Sequence, residues 1–418
     1  MAAQHVPVLA QPTIGSLEDA RSYVAARSLA AGPIGRVGLE LEFHVVDLAH
    51  PWRQVAWAQL ADLRSMLPSM PAGSLVTIEP GGQLELSTPP AAGVTAAVAA
   101  LRADRAVLAA AAAAAGLGLA SVGADPARAV RRLNPAARYV AMERHFDALG
   151  CGVAGRAMMS ATASLQINVE AGPRDGWATR LRRLESLGPV LVAVSACSPL
   201  LGGRASGWQS MRQQVWGDLD PSRCRPLSGG ADPAQAWASY ALAAPAMLVR
   251  DPDTDAVVPL TRRVPFADWV AGVTALWRRP TFQDLDYHLS TLFPPVRPRG
   301  FLEIRCLDAV PDRWWPALAA VTATLIDDER AADLAEDACA PVAGWWTVAA
   351  REGLRNRAMG LAARRCVQIA AERAPEQLRP EVEAYAAMVW RGRTPGDDLR
   401  ERAALRGPLA VLEEEAHA

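Results

Sequence analysis

The 418-residue chain reads as an α+β protein, a sheet covered by helices on one face and open on the other, followed by a helical C-terminal subdomain. Three observations carry this reading. Four short segments alternate apolar and polar residues, as half-buried strands do. Helical patterns lie between those segments. Beyond Pro311 the pattern is almost wholly helical, with Trp314, Trp315, Trp345 and Trp346 expected as packing residues.

In GLELEFHV, Leu39, Leu41, Phe43 and Val45 point one way and Glu40, Glu42 and His44 the other. In TIEPGGQLELS, Leu84 and Leu86 alternate with Gln83, Glu85 and Ser87, and Glu79 stands just before a Pro80-Gly81-Gly82 bend. MMSATASLQINVE sets Ala163, Leu165, Ile167 and Val169 against Thr162, Ser164, Gln166, Asn168 and Glu170. FLEIRCLDA sets Leu302, Ile304 and Cys306 against Glu303 and Arg305. Helices are predicted over Leu17–Ala30, Ala91–Ala115, Gly176–Val194, Ala234–Leu248 and Phe266–Arg278. With no internal repeat or linker, residues 1–418 read as a single domain, 1–310 forming the sheet-containing core and 311–418 the helical subdomain. GLGLASVG, from Gly116 to Gly123, lacks the glycine spacing and preceding strand of a dinucleotide loop and is discounted as one.

Composition excludes several function classes. Forty-three basic residues against 44 acidic ones leave a net charge of −1, so nothing favours nucleic acid or an anionic membrane, and small molecules become the expected partners. No lysine occurs, which removes Schiff-base chemistry and the lysine-bearing phosphate loop. Any phosphate must meet arginine or a metal. Six scattered cysteines without metal-ligand spacing suggest reduced thiols in the cytoplasm, and the N-terminal stretch lacks the features of a secretory leader. The alanine-rich run Ala91–Ala115 is broken by Arg102, Asp104 and Arg105, so it is expected to be a helix outside any membrane.

Acidic residues are disfavoured in strands, yet Glu40, Glu42, Glu85 and Glu303 lie in strand-like segments, with Glu79 beside them. Such faces could simply meet solvent, as in an ordinary antiparallel sheet. Should they meet on one sheet instead, the converging carboxylates need cations, and hard oxygen ligands suit magnesium or manganese.

The strings GLELEF, IEPGGQLELS, MMSATASLQINV, SMRQQVWGDLDPSR and YHLSTLFPPVRPRGFLEIR resemble, in order and spacing, the motifs of the glutamate-cysteine ligase family of plants and many bacteria. The arginine-only, alanine-rich character looks like the actinobacterial branch that feeds ergothioneine synthesis. The resemblance implies an antiparallel, funnel-like sheet similar to that of the glutamine synthetase catalytic domain, with ATP at one end and glutamate at the other. It implies that Glu40, Glu42, Glu79, Glu85 and Glu303 hold magnesium ions and that Gln166, Asn168 and Arg299 lie near the phosphates. Arg305 would act on the transferred phosphoryl group. Arg138, Met159, Thr162, Arg212, Trp216 and Arg223 would frame glutamate, with Arg297 a further anion-binding candidate. Arg138, Arg223, Arg297 and Arg299 could instead be surface charges, and Met159 a core filler. His44 on a solvent rim and His288 in a loop carry no expected catalytic role. Phe43 and Thr88 depart from the family pattern, where plant members carry a basic residue and glycine is common. The implied reaction joins the side-chain carboxylate of glutamate to the amine of cysteine at the expense of ATP. A ligase using another amine, or a non-catalytic sensor of glutamate or nucleotide, remains the alternative.

Overall fold

A computed structural model describes residues 12–417 except 228–229, 252–253, 255 and 275. The N-terminal stretch read as leaderless lies outside the described residues up to position 11. The predicted alternations form one antiparallel sheet. Its strands are β1 (Arg36–Asp47), β2 (Leu75–Ile78), β3 (Leu84–Ser87), β4 (Ala91–Ala92), β5 (Leu117–Ala120) and β6 (Ser164–Val169). Two ribbons follow, β7 (Leu200–Leu201) with β8 (Arg204–Ala205) and β9 (Leu248–Arg250) with β10 (Val257–Pro259). Then β11 (Val296–Pro298) and β12 (Leu302–Asp308) complete the main sheet in the order β11-β12-β6-β1-β3-β2, with β4 and β5 also paired to β1.

The apolar halves of the alternating strands face a helical layer. Leu39, Leu41, Phe43, Leu84, Leu86, Leu165 and Ile167 are fully buried, each side chain contributing about 1.5–3 kcal/mol by leaving water. Helices Gly93–Ala114, Trp177–Ser195 and Trp315–Asp327 pack on that face. The all-helical stretch beyond Pro311 is present as expected, and its side chains join the same continuous core as the sheet. Among the described residues no helix is long and apolar enough to cross a membrane.

Several boundaries differ from the sequence expectation. The helix expected to reach Leu248 stops at Ala243, because Leu248–Arg250 is drawn into β9. The one expected to reach Arg278 stops at Ala271, where Gly272 turns left-handed. Met158–Ala161 closes a helix, Gly152–Ala161, instead of opening a strand, and Thr162 caps it by donating its hydroxyl to the Met158 carbonyl. Leu117–Ala120, discounted as a nucleotide loop, is a strand paired with His44–Asp47. Trp315 is buried as expected, but Trp345 is 40% exposed.

Candidate active site

Strand register assembles the polar face. In β1 and β3, Glu42 lies opposite Glu85 and Glu40 opposite Ser87. In β1 and β6, Glu40 faces Gln166 and Gly38 faces Asn168. Asn168 in turn faces Glu303 of β12, which faces Arg297 of β11. A period of two therefore brings onto one sheet carboxylates that lie hundreds of residues apart in the chain. Glu79 arrives from the bend between β2 and β3, closed by the Glu79 N–H donating to the Gln83 carbonyl at 2.8 Å. Gly81 lets this bend press on the neighbouring helix, since a Cβ there would lie 2.1 Å from the Ser160 carbonyl oxygen.

A cavity of ≈ 270 Å³ opens over this face, lined by all five glutamates together with Gln166, Arg299 and Arg305. Arg138, Met159, Thr162, Arg212 and Trp216 line it as well. A second cavity, of ≈ 730 Å³, shares Glu40, Glu85 and Arg299 with the first and reaches Asn168, over a floor that Gly38 leaves without a side chain. Arg223 is not at either cavity. It is fully buried, donates to the carbonyls of Thr291 (2.9 Å) and Pro245 (2.7 Å), and sets Nε 3.7 Å from the Asp220 carboxylate, so it pins loops together away from both cavities. His44 is buried, not on a rim, and His288 lies in helix Phe282–Leu289 with Nε2 2.8 Å from the Ala241 carbonyl oxygen.

Charge is segregated within the first cavity. At one side, Glu303 is held by Arg297 at 2.5 Å, Arg305 at 3.1 Å and Arg299 at 3.2 Å. Burial alone would raise its pKa, but Arg297, Arg305 and Arg299 together bring it down to about 2. On the other side, burial raises Glu40, Glu79 and Glu85 above the ordinary carboxylate range, with added repulsion from neighbouring glutamates. Burial also raises Glu42, against the pull of Arg212 and two hydrogen bonds from Ser164 at 2.8 Å. Glu85 accepts hydroxyls from Thr77 and Ser87 at 3.0 Å, and Glu40 accepts Asn168 Nδ2 at 2.9 Å. Arg305 stands between the two sides. Burial opposes its charge, yet Glu303, Glu40, Glu42 and Glu85 strengthen it.

The donor set fits a hard divalent cation. The Glu79 carboxylate accepts no hydrogen bond among the described residues while facing the charges of Glu85 and Glu42, and Asn168 Oδ1 is a buried acceptor without a partner. No three acidic, histidine or cysteine side chains among the described residues are grouped to hold one ion alone. A cation here would complete its shell with amide, water or phosphate oxygens, as magnesium commonly does.

Sequence reasoning missed Tyr139, Met142 and Phe293, which line the first cavity. It placed Gln83 beside Glu85 on the polar face without giving it a role, although their spacing of two was the available signal.

Fold and site define a class, the mixed proteins whose antiparallel sheet presents an acidic face to an open cavity. A solved glutamate-cysteine ligase of Francisella tularensis, in complex with AMP, shares the fold with a TM-score of 0.61 and 14% identity, over 93% of this chain and 88% of that one. More particularly, the chain belongs to glutamate-cysteine ligase family 2 (GCS2), whose model matches residues 36–415. It is 53% identical over 402 residues to the glutamate-cysteine ligase EgtA of Mycolicibacterium smegmatis, covering 96% of this chain and 94% of that protein. The EgtA of Mycobacterium tuberculosis is 52% identical over 396 residues, with 94% of this chain and 92% of that protein covered. The chloroplastic glutamate-cysteine ligase of Medicago truncatula is 30% identical over 68% of this chain and 55% of its own length.

Proposed function

We propose that this protein is an ATP-dependent glutamate-cysteine ligase acting in the cytoplasm, and that its γ-glutamylcysteine feeds ergothioneine synthesis. Family membership and full-length similarity to the two EgtA ligases support the reaction. The observation that carries the mechanism is the segregated cavity: the half-buried carboxylates Glu40, Glu42, Glu79 and Glu85, of raised pKa, on one side, Glu303 with Arg297 and Arg299 on the other, and Arg305 between them. The six free cysteines agree with a reducing compartment.

Glu40, Glu42, Glu79 and Glu85, with Glu303 at the edge, are the carboxylates that would hold magnesium. When bound, the metal neutralises phosphate charge and fixes phosphate oxygens in place. The second cavity suits the nucleotide, with Gln166, Asn168 and Arg299 near its phosphates. Glutamate lies in the first cavity. Arg212, whose Nη1 is buried without a hydrogen-bond partner, meets its α-carboxylate. Trp216, Met159, Thr162 and Arg138 frame the rest, and the apolar wall of Trp216, Met158, Met159 and Phe293 keeps water from the reacting carbonyl.

The side-chain carboxylate of glutamate attacks the γ-phosphorus of ATP, releasing ADP and leaving a γ-glutamyl phosphate. The cysteine amine then attacks the activated carbonyl carbon, and inorganic phosphate departs as the amide forms. Two anions must approach each other in the first step, so Arg305 contributes by offsetting charge on the moving phosphoryl group. The test is ADP release and mass-spectrometric product analysis with glutamate, magnesium and a panel of amines. Glutamate- and cysteine-dependent ADP release with γ-glutamylcysteine as product is expected. Faster use of another amine would make this a different ligase, and ATP binding without any product would make it a sensor.

A further inference from the structure

Asp308 ends β12, just beyond the register shift that separates Ile304 from Leu307, and its side chain is fully buried. It pairs with Ser164 of β6 without lining the acidic cavity itself, and it gathers the support beneath Arg212. Its Oδ2 accepts the Cys197 N–H at 2.9 Å and the Ser198 hydroxyl at 2.7 Å, and its Oδ1 accepts the Ser210 hydroxyl at 2.8 Å. Each serine then turns a lone pair to the helix Met211–Gly217. Ser198 Oγ accepts the Arg212 N–H at 3.0 Å, and Ser210, the helix N-cap, accepts the Gln213 N–H at 3.2 Å. The carboxylate can lie this deep because residue 123 is glycine, where a Cβ would stand 2.6 Å from Asp308 Cγ.

The same carboxylate also faces the Arg212 side chain. Arg212 Nη2 donates to the Arg305 carbonyl at 2.9 Å, while Nη1 stands 4.0 Å from Asp308 Oδ1. That separation balances the guanidinium charge without taking its hydrogen-bonding proton. Arg212 Nη1 remains a buried donor with no partner, in a residue that lines the cavity. A buried cation with one unpaired donor is a built site for an anion.

We infer that Asp308 is a positioning residue for glutamate recognition, holding Arg212 through Ser198 and Ser210 and leaving its Nη1 free for the substrate carboxylate. The inference rests on the reading of Arg212 as the group that meets glutamate. Asp308→Asn keeps the shape but replaces one carboxylate oxygen with an amide donor, so one of the two serines loses its acceptor and the negative charge facing Arg212 is gone. Ser210→Ala removes one arm of the support, and Ser210→Thr retains the hydroxyl.

The experiment measures glutamate and ATP dependence of ADP release by the parent and by Arg212→Lys, Asp308→Asn, Ser210→Ala and Ser210→Thr, with thermal unfolding as the folding control. Asp308→Asn should raise KM for glutamate about tenfold or more while KM for ATP stays within about twofold. Ser210→Ala should shift KM for glutamate in the same direction, and Ser210→Thr should bring it back toward the parent value. If Asp308→Asn does not fold, the Ser210 pair decides, and equal glutamate KM values for Ser210→Ala and the parent overturn the inference. It is also overturned if the glutamate and ATP constants rise together in folded Asp308→Asn. Should Arg212→Lys leave KM for glutamate unchanged, the underlying reading of Arg212 fails and takes the inference with it. A shift in Arg212→Lys without one in Asp308→Asn removes the role of Asp308 alone.

Discussion

Arg305 Nη1 donates to Gln166 Oε1 at 2.7 Å, tying β12 to β6 across the open face of the sheet. The same nitrogen lies 3.1 Å from a Glu303 oxygen, so the guanidinium is fixed before any substrate arrives. A cation held this way loses little freedom when charge develops beside it, which is the condition for electrostatic catalysis.

Arg305→Ala should therefore act on turnover. We expect kcat to fall by about 10²–10³-fold, with the glutamate dissociation constant changed by less than about threefold. Steady-state kinetics beside calorimetric titration of glutamate separates the two. Weakened glutamate binding with normal kcat would move Arg305 from the phosphoryl group to the amino acid.

Glu40→Gln and Glu42→Gln each keep side-chain size and remove one charge from the acidic side. Turnover should drop by about a hundredfold or more in each, while circular dichroism stays that of the parent. Unchanged turnover in both at moderate magnesium would dissolve the proposed metal site.

Glu79 supplies a pH signature readable without catalysis. Burial, with Glu85 and Glu42 nearby, raises its folded pKa well above the ordinary 4.5. The folded state thus binds the extra proton between 4.5 and the raised value, and ionisation at higher pH costs the metal-free protein stability. Glu79→Gln should raise the unfolding temperature by about 1–3 °C at pH 8 in chelator, and the gain should vanish as pH falls toward 4.5. Magnesium at pH 8 should stabilise the parent more than the variant. A gain equal at both pH values would mean that Glu79 carries no unfavourable charge in the fold.

The polar face was legible in the sequence because strand periodicity is local: alternation in GLELEF and FLEIR states which residues share a side, whatever the partner strand. Register then needed only the sheet to form, and Glu42 met Glu85. What escaped was set by distant packing. Leu117–Ala120 has no alternation and becomes a strand only because β1 extends far enough to pair with it. Arg223 stands in a motif with Arg212, yet the carbonyls that absorb it come from Pro245 and Thr291, which the local sequence does not announce. Asp308 follows a bulge that breaks the period of two, so its inward turn toward Ser198 and Ser210 has no local signal.

The path of one oxygen atom tests the central claim, that a carboxylate is activated by phosphoryl transfer in this cavity. Glutamate labelled with heavy oxygen in its side-chain carboxylate is supplied with ATP, magnesium and cysteine, and the released phosphate is analysed by mass spectrometry. The attacking carboxylate oxygen becomes the bridge to phosphorus and leaves with it when the cysteine amine takes the carbonyl carbon, so the phosphate should carry one labelled oxygen per γ-glutamylcysteine formed. γ-Glutamylcysteine accompanied by unlabelled phosphate would contradict the γ-glutamyl phosphate.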